Sequence, residues 1–115
     1  MQRGQVPLID LEPARGSEAN KPRLGIIVSN DRANATANRL GRGVVTVVPV
    51  TSNIVRVFPF QVLLRANATG LPVDSKAQAE QMRSVPLERI GPVLGRVPAQ
   101  LMVAVEEARR LHLQL

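Results

Sequence analysis

Arg23-Leu-Gly-Ile-Ile-Val-Ser-Asn-Asp31 is an apolar run of strand length with a guanidinium at its mouth. Further along, Val48-Pro-Val-Thr-Ser-Asn53 closes a second such run with two hydroxyls, Thr51 and Ser52. Laid in one small sheet, the two runs bring a guanidinium and a hydroxyl to the same cleft. That pairing suits a phosphodiester better than a metal ion or a sugar.

Working outward, Val44 to Val50 is a β-branched run too short for a helix and reads as a buried third strand. Leu24 to Ser29 is the second strand. Val6 to Leu11 is the first, with Pro7 demanding an edge or a bulge because it cannot donate to a ladder. Phe58 to Leu64 gives a fourth strand. Ser75 to Val85 has helix-forming Ala and Gln, but its alternation toward Val85 and the terminating Pro86 favour a fifth. Glu12 to Pro22 reads as a long loop, Asn30 to Arg42 as a turn-rich connection and Asn67 to Asp74 as a turn. Pro86 to Gly91 suits one helical turn.

Pro98 to Leu113 is the clearest helix. Pro98 fits the first helical position. Leu101, Ala104, Val105, Ala108, Leu111 and Leu115 form one apolar stripe, and Glu106 and Arg110 are spaced to pair on the other side. Strands closed by a helix, with no βαβ rhythm, predict one domain over residues 1–115: a small antiparallel β-barrel with helices at one end.

Composition narrows the chemistry. The 115 residues contain no cysteine, which excludes a disulfide framework, a thiolate nucleophile and Cys-ligated zinc. The net charge is +6, and Lys21 and Lys76 are the only lysines, so the positive charge is almost wholly arginine. Arginine grips phosphate through a planar fork and makes a polyanion the expected partner. Phe58 and Phe60 are the only aromatic residues other than His112, which leaves little of a base-stacking platform. No secretory signal and no membrane-spanning run is apparent, so a soluble cytoplasmic protein is expected.

Several short motifs then fall in order along the whole chain: Arg3-Gly4, Asp10-Leu-Glu-Pro13, Arg15-Gly-Ser-Glu18, Arg23, Ile27-Val-Ser-Asn-Asp31, Pro49-Val-Thr-Ser52, Phe58-Pro-Phe60, Asp74-Ser75 and Glu80-Gln-Met-Arg-Ser84. In this order and spacing the chain resembles the MazF/PemK toxins, most closely their mycobacterial-type MazF branch. The resemblance implies a homodimeric SH3-like antiparallel barrel that cuts single-stranded RNA at short sequences, without a metal or other cofactor. It also implies a cognate MazE-like antitoxin, an acidic partner whose tail occupies the RNA groove by charge mimicry. In that family the Arg opening the second strand and the Thr or Ser ending the third carry the chemistry; these map onto Arg23 and Thr51. The loop matching Arg15 to Lys21 folds over RNA, which nominates Ser17, Glu18 and Lys21. Residues matching Ser75, Glu80 and Gln81 read bases. Ser52, Asn53 and Arg83 complete the expected RNA contacts. Messenger RNA is the expected substrate, with tRNA or rRNA as further ones.

The residues fit this chemistry. RNA carries its own nucleophile, the 2′-OH, beside the scissile phosphate, and intramolecular attack reaches effective molarities on the order of 10⁵ M. The protein must align that attack and stabilise charge on the equatorial oxygens, which Arg23 and Thr51 can do as donors. The expected products carry a 2′,3′-cyclic phosphate and a 5′-OH. Arginine stays protonated at any working pH, so Arg23 is a charge clamp and not a base. Unpaired bases are read by amides and carboxylates on their Watson–Crick edges, which Gln81 and Glu80 carry; Gln78 is a further amide nearby. Taken alone, Thr51 would cap a turn with Ser52 and Asn53. His112, the only histidine, reads as a helix-end residue.

Two departures from the family stand beside the site. Pro7 occupies a position where members usually carry an aromatic residue, and Arg23-Leu24-Gly25 replaces Arg-Pro-Ala. The missing Pro after Arg23 predicts a looser guanidinium and Pro7 a disturbed first-strand ladder, which together tune or weaken activity. Two rival readings share the barrel: a CcdB-like gyrase poison, which relies on a Trp near the C-terminus that this chain lacks, and a non-catalytic RNA-binding barrel.

Overall fold

Val44–Thr51 is the central strand of the fold, with neighbours on both edges and core on both faces. The structure is a computed structural model that describes residues 1–10 and 22–115. Its strands are β1 (Gln5–Ile9), β2 (Arg23–Ile27), β3 (Val44–Thr51), β4 (Gln61–Leu64), β5 (Ser75–Gln78), β6 (Arg83–Pro86) and β7 (Ile90–Arg96). Its helices are α1 (Asp31–Leu40), α2 (Ala66–Thr69) and α3 (Ala99–Leu113). All the pairings are antiparallel, in the order β4-β5-β3-β2-β1-β7, with β6 also on β3.

Core on both faces of the strand explains why β3 is apolar without a break over Val47–Val50. Val48 and Val50 point to one face, where Val6, Ile26, Leu64, Ala77 and Val97 pack with Val105 of α3. Val45 and Val47 point to the other, where Ile9, Ile27 and Val85 meet them. Each of the buried Val, Ile and Leu side chains contributes roughly 1.5–3 kcal/mol of transfer free energy. One edge of β3 pairs with β2. The other pairs with β6 over Val44–Val47 and with β5 over Val50–Thr51. The neighbouring chain leaves the ladder between these stretches, beside Pro49, which has no N–H to give, and makes a 3₁₀ turn at Ala79–Gln81.

The sheet is barrel-like without closing through hydrogen bonds. Gly95 of β7 lies against the residues that follow β4, so a Cβ there would stand 2.6 Å from the Thr69 carbonyl oxygen and 2.9 Å from Leu71 Cδ2. The two ends of the sheet thus meet across α2. Pro7 sits at register shifts in the β1–β7 ladder, in keeping with the bulge it demands.

Several elements differ from the sequence reading. The segment from Asn30 to Arg42 is not a run of turns: Asp31–Leu40 is a helix. Asn30 caps it by accepting from the Ala33 N–H at 2.8 Å, and Gly41 ends it with φ +68°. The fourth strand begins at Gln61 and not at Phe58, because Phe58-Pro59-Phe60 turns, with Gln61 N–H donating to the Phe58 carbonyl at 2.8 Å. A short helix, α2, begins at Ala66 and takes up the first residues of the turn expected from Asn67 to Asp74. Ser75–Pro86 is two strands around the 3₁₀ turn, and β7 was not expected. Pro98 stands at the N-cap of α3, one residue before its first turn. Val105 and Ala108 of its stripe are buried, whereas Leu111 and Leu115 are exposed beyond the sheet. Glu106 pairs with Arg3 and Arg109 in place of Arg110. Leu11, expected to end the first strand, and the Glu12–Lys21 loop lie outside the described residues. Among the described residues no helix is long and apolar enough to cross a membrane.

Candidate active site

The groove is built by strand alternation at the polar end of one sheet face. The β2–β3 ladder pairs Leu24 with Val50 and Gly25 with Pro49. One step further along the same register sets Arg23 across from Thr51. Both share a parity with Gly25, Val47 and Ile27, so they continue a face whose interior is apolar core. Arg83 pairs with Val47 through β6, and extending the β3–β5 register sets Gln78 across from Pro49. Arg23, Pro49, Val50, Thr51, Gln78, Gln81 and Arg83 accordingly line one recess of about 370 Å³. A second recess of about 260 Å³ is lined by Arg23, Val50, Thr51, Ser52, Val73 and Ser75, among others. Arg23 and Thr51 are common to both.

Each side chain has a definable chemistry. The Arg23 guanidinium has no ion-pair or hydrogen-bond partner among the described residues, so its fork is available to an anion. Thr51 Oγ1 accepts from the Asn53 N–H at 3.2 Å. A hydroxyl that accepts locally still has its hydrogen to donate, so the turn-capping role and a donor role coexist in one group. Asn53 is engaged in the same turn, its Oδ1 accepting from the Val55 N–H at 3.4 Å. Ser75 Oγ donates to the Val73 carbonyl at 3.0 Å and is otherwise buried.

The nominated residues therefore separate. Arg23, Thr51, Gln81 and Arg83 come together in the first recess, and Ser52 and Ser75 line the second. Asn53 lies on the exposed turn beside Thr51 and lines neither recess. Glu80 also lines neither: its Oε2 accepts from Gln61 Nε2 at 2.7 Å. Ser17, Glu18 and Lys21 lie outside the described residues. Gln78, expected only as a further amide nearby, and Pro49 line the groove; the β3–β5 pairing that puts Gln78 there is long-range and has no local sequence signal. His112 lies on α3 with its ring centroid 6.3 Å from that of Phe60, away from both recesses.

The described lining of the two recesses holds arginines, hydroxyls and amides but no carboxylate or imidazole. It can hold and polarise an anion. No three His, Cys, Asp or Glu side chains come together among the described residues as a metal site would need.

A cationic groove of donors at the end of an antiparallel sheet is that of a protein that handles a phosphodiester. Residues 2–113 match the family model described as PemK-like, MazF-like toxin of type II toxin-antitoxin system. The chain belongs to this family, and it is an endoribonuclease toxin of a toxin–antitoxin system. It is 63% identical over 115 residues to endoribonuclease MazF9 of Mycobacterium tuberculosis, covering 100% of this chain and 98% of that protein. Among solved structures it is similar to the Mycobacterium tuberculosis toxin MazF-mt6, with a TM-score of 0.78 at 22% identity over 96% of this chain and 97% of that one. A mycobacterial endoribonuclease solved in complex with its cognate antitoxin matches with a TM-score of 0.78 at 24% identity, over 100% of this chain and 96% of that one. These two likenesses establish the fold.

Proposed function

We propose that this endoribonuclease cuts single-stranded RNA, chiefly mRNA, at a short sequence and without a metal, by attack of the substrate's own 2′-OH. The single observation that carries the reading is the convergence of Arg23 and Thr51 on both recesses of one groove. Arg23 clamps the equatorial oxygens of the scissile phosphate with two N–H donors, and the Thr51 hydroxyl adds a third. The 2′ oxygen bonds to phosphorus as its proton passes to solvent, the P–O5′ bond breaks, and the leaving 5′ oxygen takes a proton from solvent, giving a 2′,3′-cyclic phosphate and a 5′-OH. Arg23 stays protonated throughout.

Gln78, Gln81 and Arg83 on one side, and Ser52 and Ser75 on the other, are the contacts for flanking nucleotides. The amides suit base edges and Arg83 suits phosphate. A MazE-like acidic antitoxin competes for the same cationic groove by charge complementarity; an endoribonuclease of the same fold has been solved with its cognate antitoxin. A homodimer acting in the cytoplasm completes the reading.

The test is cleavage of a defined RNA in EDTA, with sequencing of its 5′-OH ends, against the same RNA carrying a single 2′-deoxy substitution at the cut site. Cutting in EDTA that stops with the deoxy analogue is the expected result. Cleavage of the analogue overturns the 2′-OH mechanism, and a strict requirement for added metal overturns metal independence.

A further inference from the structure

We propose that Glu80 serves the groove as a positioning residue, clamped by Gln61, and that Gln78 and Gln81 are the side chains this clamp aims at RNA bases. The inference rests on the reading of the groove as the RNA site.

Gln61 is buried and bonded at both ends of its amide. Its Oε1 accepts from the Phe58 N–H at 3.1 Å, and its Nε2 donates to Glu80 Oε2 at 2.7 Å. Its backbone N–H also holds the Phe58 carbonyl, so the Phe58-Pro59-Phe60 turn is tied to Gln61 twice. In the β4–β5 ladder Gln61 stands directly across from Gln78. The clamp therefore joins a fixed turn on one side to the segment carrying both groove amides on the other. The 3₁₀ geometry completes the picture. Gln78 ends β5 and Gln81 ends the 3₁₀ turn that follows it, so the turn holds the two amides beside each other at the groove. Both glutamines line the first recess and Glu80 does not.

The unpartnered oxygen of Glu80 is the second observation. Its Oε1 is buried with no hydrogen-bond partner among the described residues. A carboxylate held by one neutral amide, with its other oxygen unsatisfied, is a poor choice for stability alone. An amide at position 80 would fill the space at lower cost. What the carboxylate adds is a charge-assisted, directional bond that fixes the turn beside the groove.

A charge swap tests the clamp. Gln61→Glu sets two carboxylates against each other. In the double variant Gln61→Glu/Glu80→Gln, the new carboxylate can accept from both the Phe58 N–H and the new amide, which restores the bond in reverse. Steady-state cutting of a defined RNA should show KM raised about tenfold in Gln61→Glu with kcat little changed, and relaxed preference for the bases flanking the cut. The double variant should return to within about threefold of the parent. The side-chain NH₂ resonances of Gln78 and Gln81 should move in the single variant and return in the double, with or without RNA. A folded Gln61→Glu protein with unchanged KM, base preference and resonances overturns the proposal. So does a double variant no better than the single. If Gln61→Glu alone does not fold, recovery of folding and KM in the double variant supports the direct bond, and its absence refutes it. Failure of the parent protein to cut any RNA sinks the reading of the groove instead, and leaves the resonance comparison to judge the clamp.

Discussion

Arg3 and Glu106 form a 3.0 Å ion pair that fastens the start of the chain to α3. Arg3 also donates to the Val28 carbonyl, just after β2, and Glu106 also accepts from Arg109 of its own helix, so the Arg3 guanidinium joins the end of β2 to α3. Burial alone would push the Glu106 carboxyl up. The hydrogen bonds and charges of Arg109 and Arg3 outweigh that and hold it below its ordinary 4.5.

A carboxyl that is more acidic folded than unfolded stabilises fully above 4.5, and loses that contribution as pH falls through the lowered folded value. The melting temperature of the parent protein should therefore drop toward that of Glu106→Gln on acidification below this point. Near neutral pH the parent should be the more stable of the two. Thermal unfolding across the acid range measures this, and a gap that stays constant with pH contradicts it.

Arg23→Ala should lower kcat by about 10²–10³ while leaving the melting temperature unchanged, because the guanidinium is exposed and bonds to no described residue. Arg23→Lys should recover little, since a point charge cannot reproduce the fork. Thr51→Ser should keep activity and Thr51→Val should lose it. Single-turnover cleavage of a defined RNA separates these outcomes. Equal loss in the serine and valine variants would remove the hydroxyl from the chemistry.

Gly95 and Gly25 should respond oppositely to alanine. A Cβ at Gly95 meets the Thr69 carbonyl oxygen at 2.6 Å, a backbone atom that cannot step aside, and the cost should be about 1–3 kcal/mol. At Gly25 the 2.6 Å neighbour is the terminal methyl of Ile9, which can rotate away. The loss of unfolded-chain entropy, about 0.4–1 kcal/mol, then offsets the strain. Urea unfolding of the two variants gives the order directly.

The α1 caps make a further pair. Asn30→Ala removes the bond to the Ala33 N–H and should cost about 0.5–2 kcal/mol. Asn34 is buried, donates to the Ser29 carbonyl at 2.9 Å and accepts from Ser29 Oγ. Asn34→Ala leaves those groups unsatisfied and should cost more, about 1–3 kcal/mol. Denaturant midpoints check the ranking, and RNA cutting at a temperature where both variants are folded should be unaffected.

The groove was legible where function sits at strand ends. Arg23 and Thr51 could be named because each terminates an apolar run, and the antiparallel register does the rest. Gln78 was harder to see, because its place depends on which strand lies beside β3, and that long-range pairing leaves no local trace. Glu80 is expected to read bases from the resemblance and from its residue type, and the structure adds that its Oε2 accepts from Gln61 Nε2. The helix α1 was hidden by its asparagines, weak helix formers whose stability here comes from the Asn30 and Gly41 caps and from Asn34 and Ala37 packing on the sheet. Gly91, Pro92 and Gly95 break any strand pattern over β7, which therefore has no counterpart in the sequence reading, and such a composition suits an edge strand.

The setting of β3, with neighbours along both edges and core on both faces, fixes how this enzyme breathes. Its amides should be the last in the chain to exchange with heavy water, opening only when the whole domain unravels. Thr51 closes that strand, so the hydroxyl is moored to the least yielding part of the molecule. Silencing such a toxin then calls for filling or covering the groove, because no cheap local opening can pull the hydroxyl out of line.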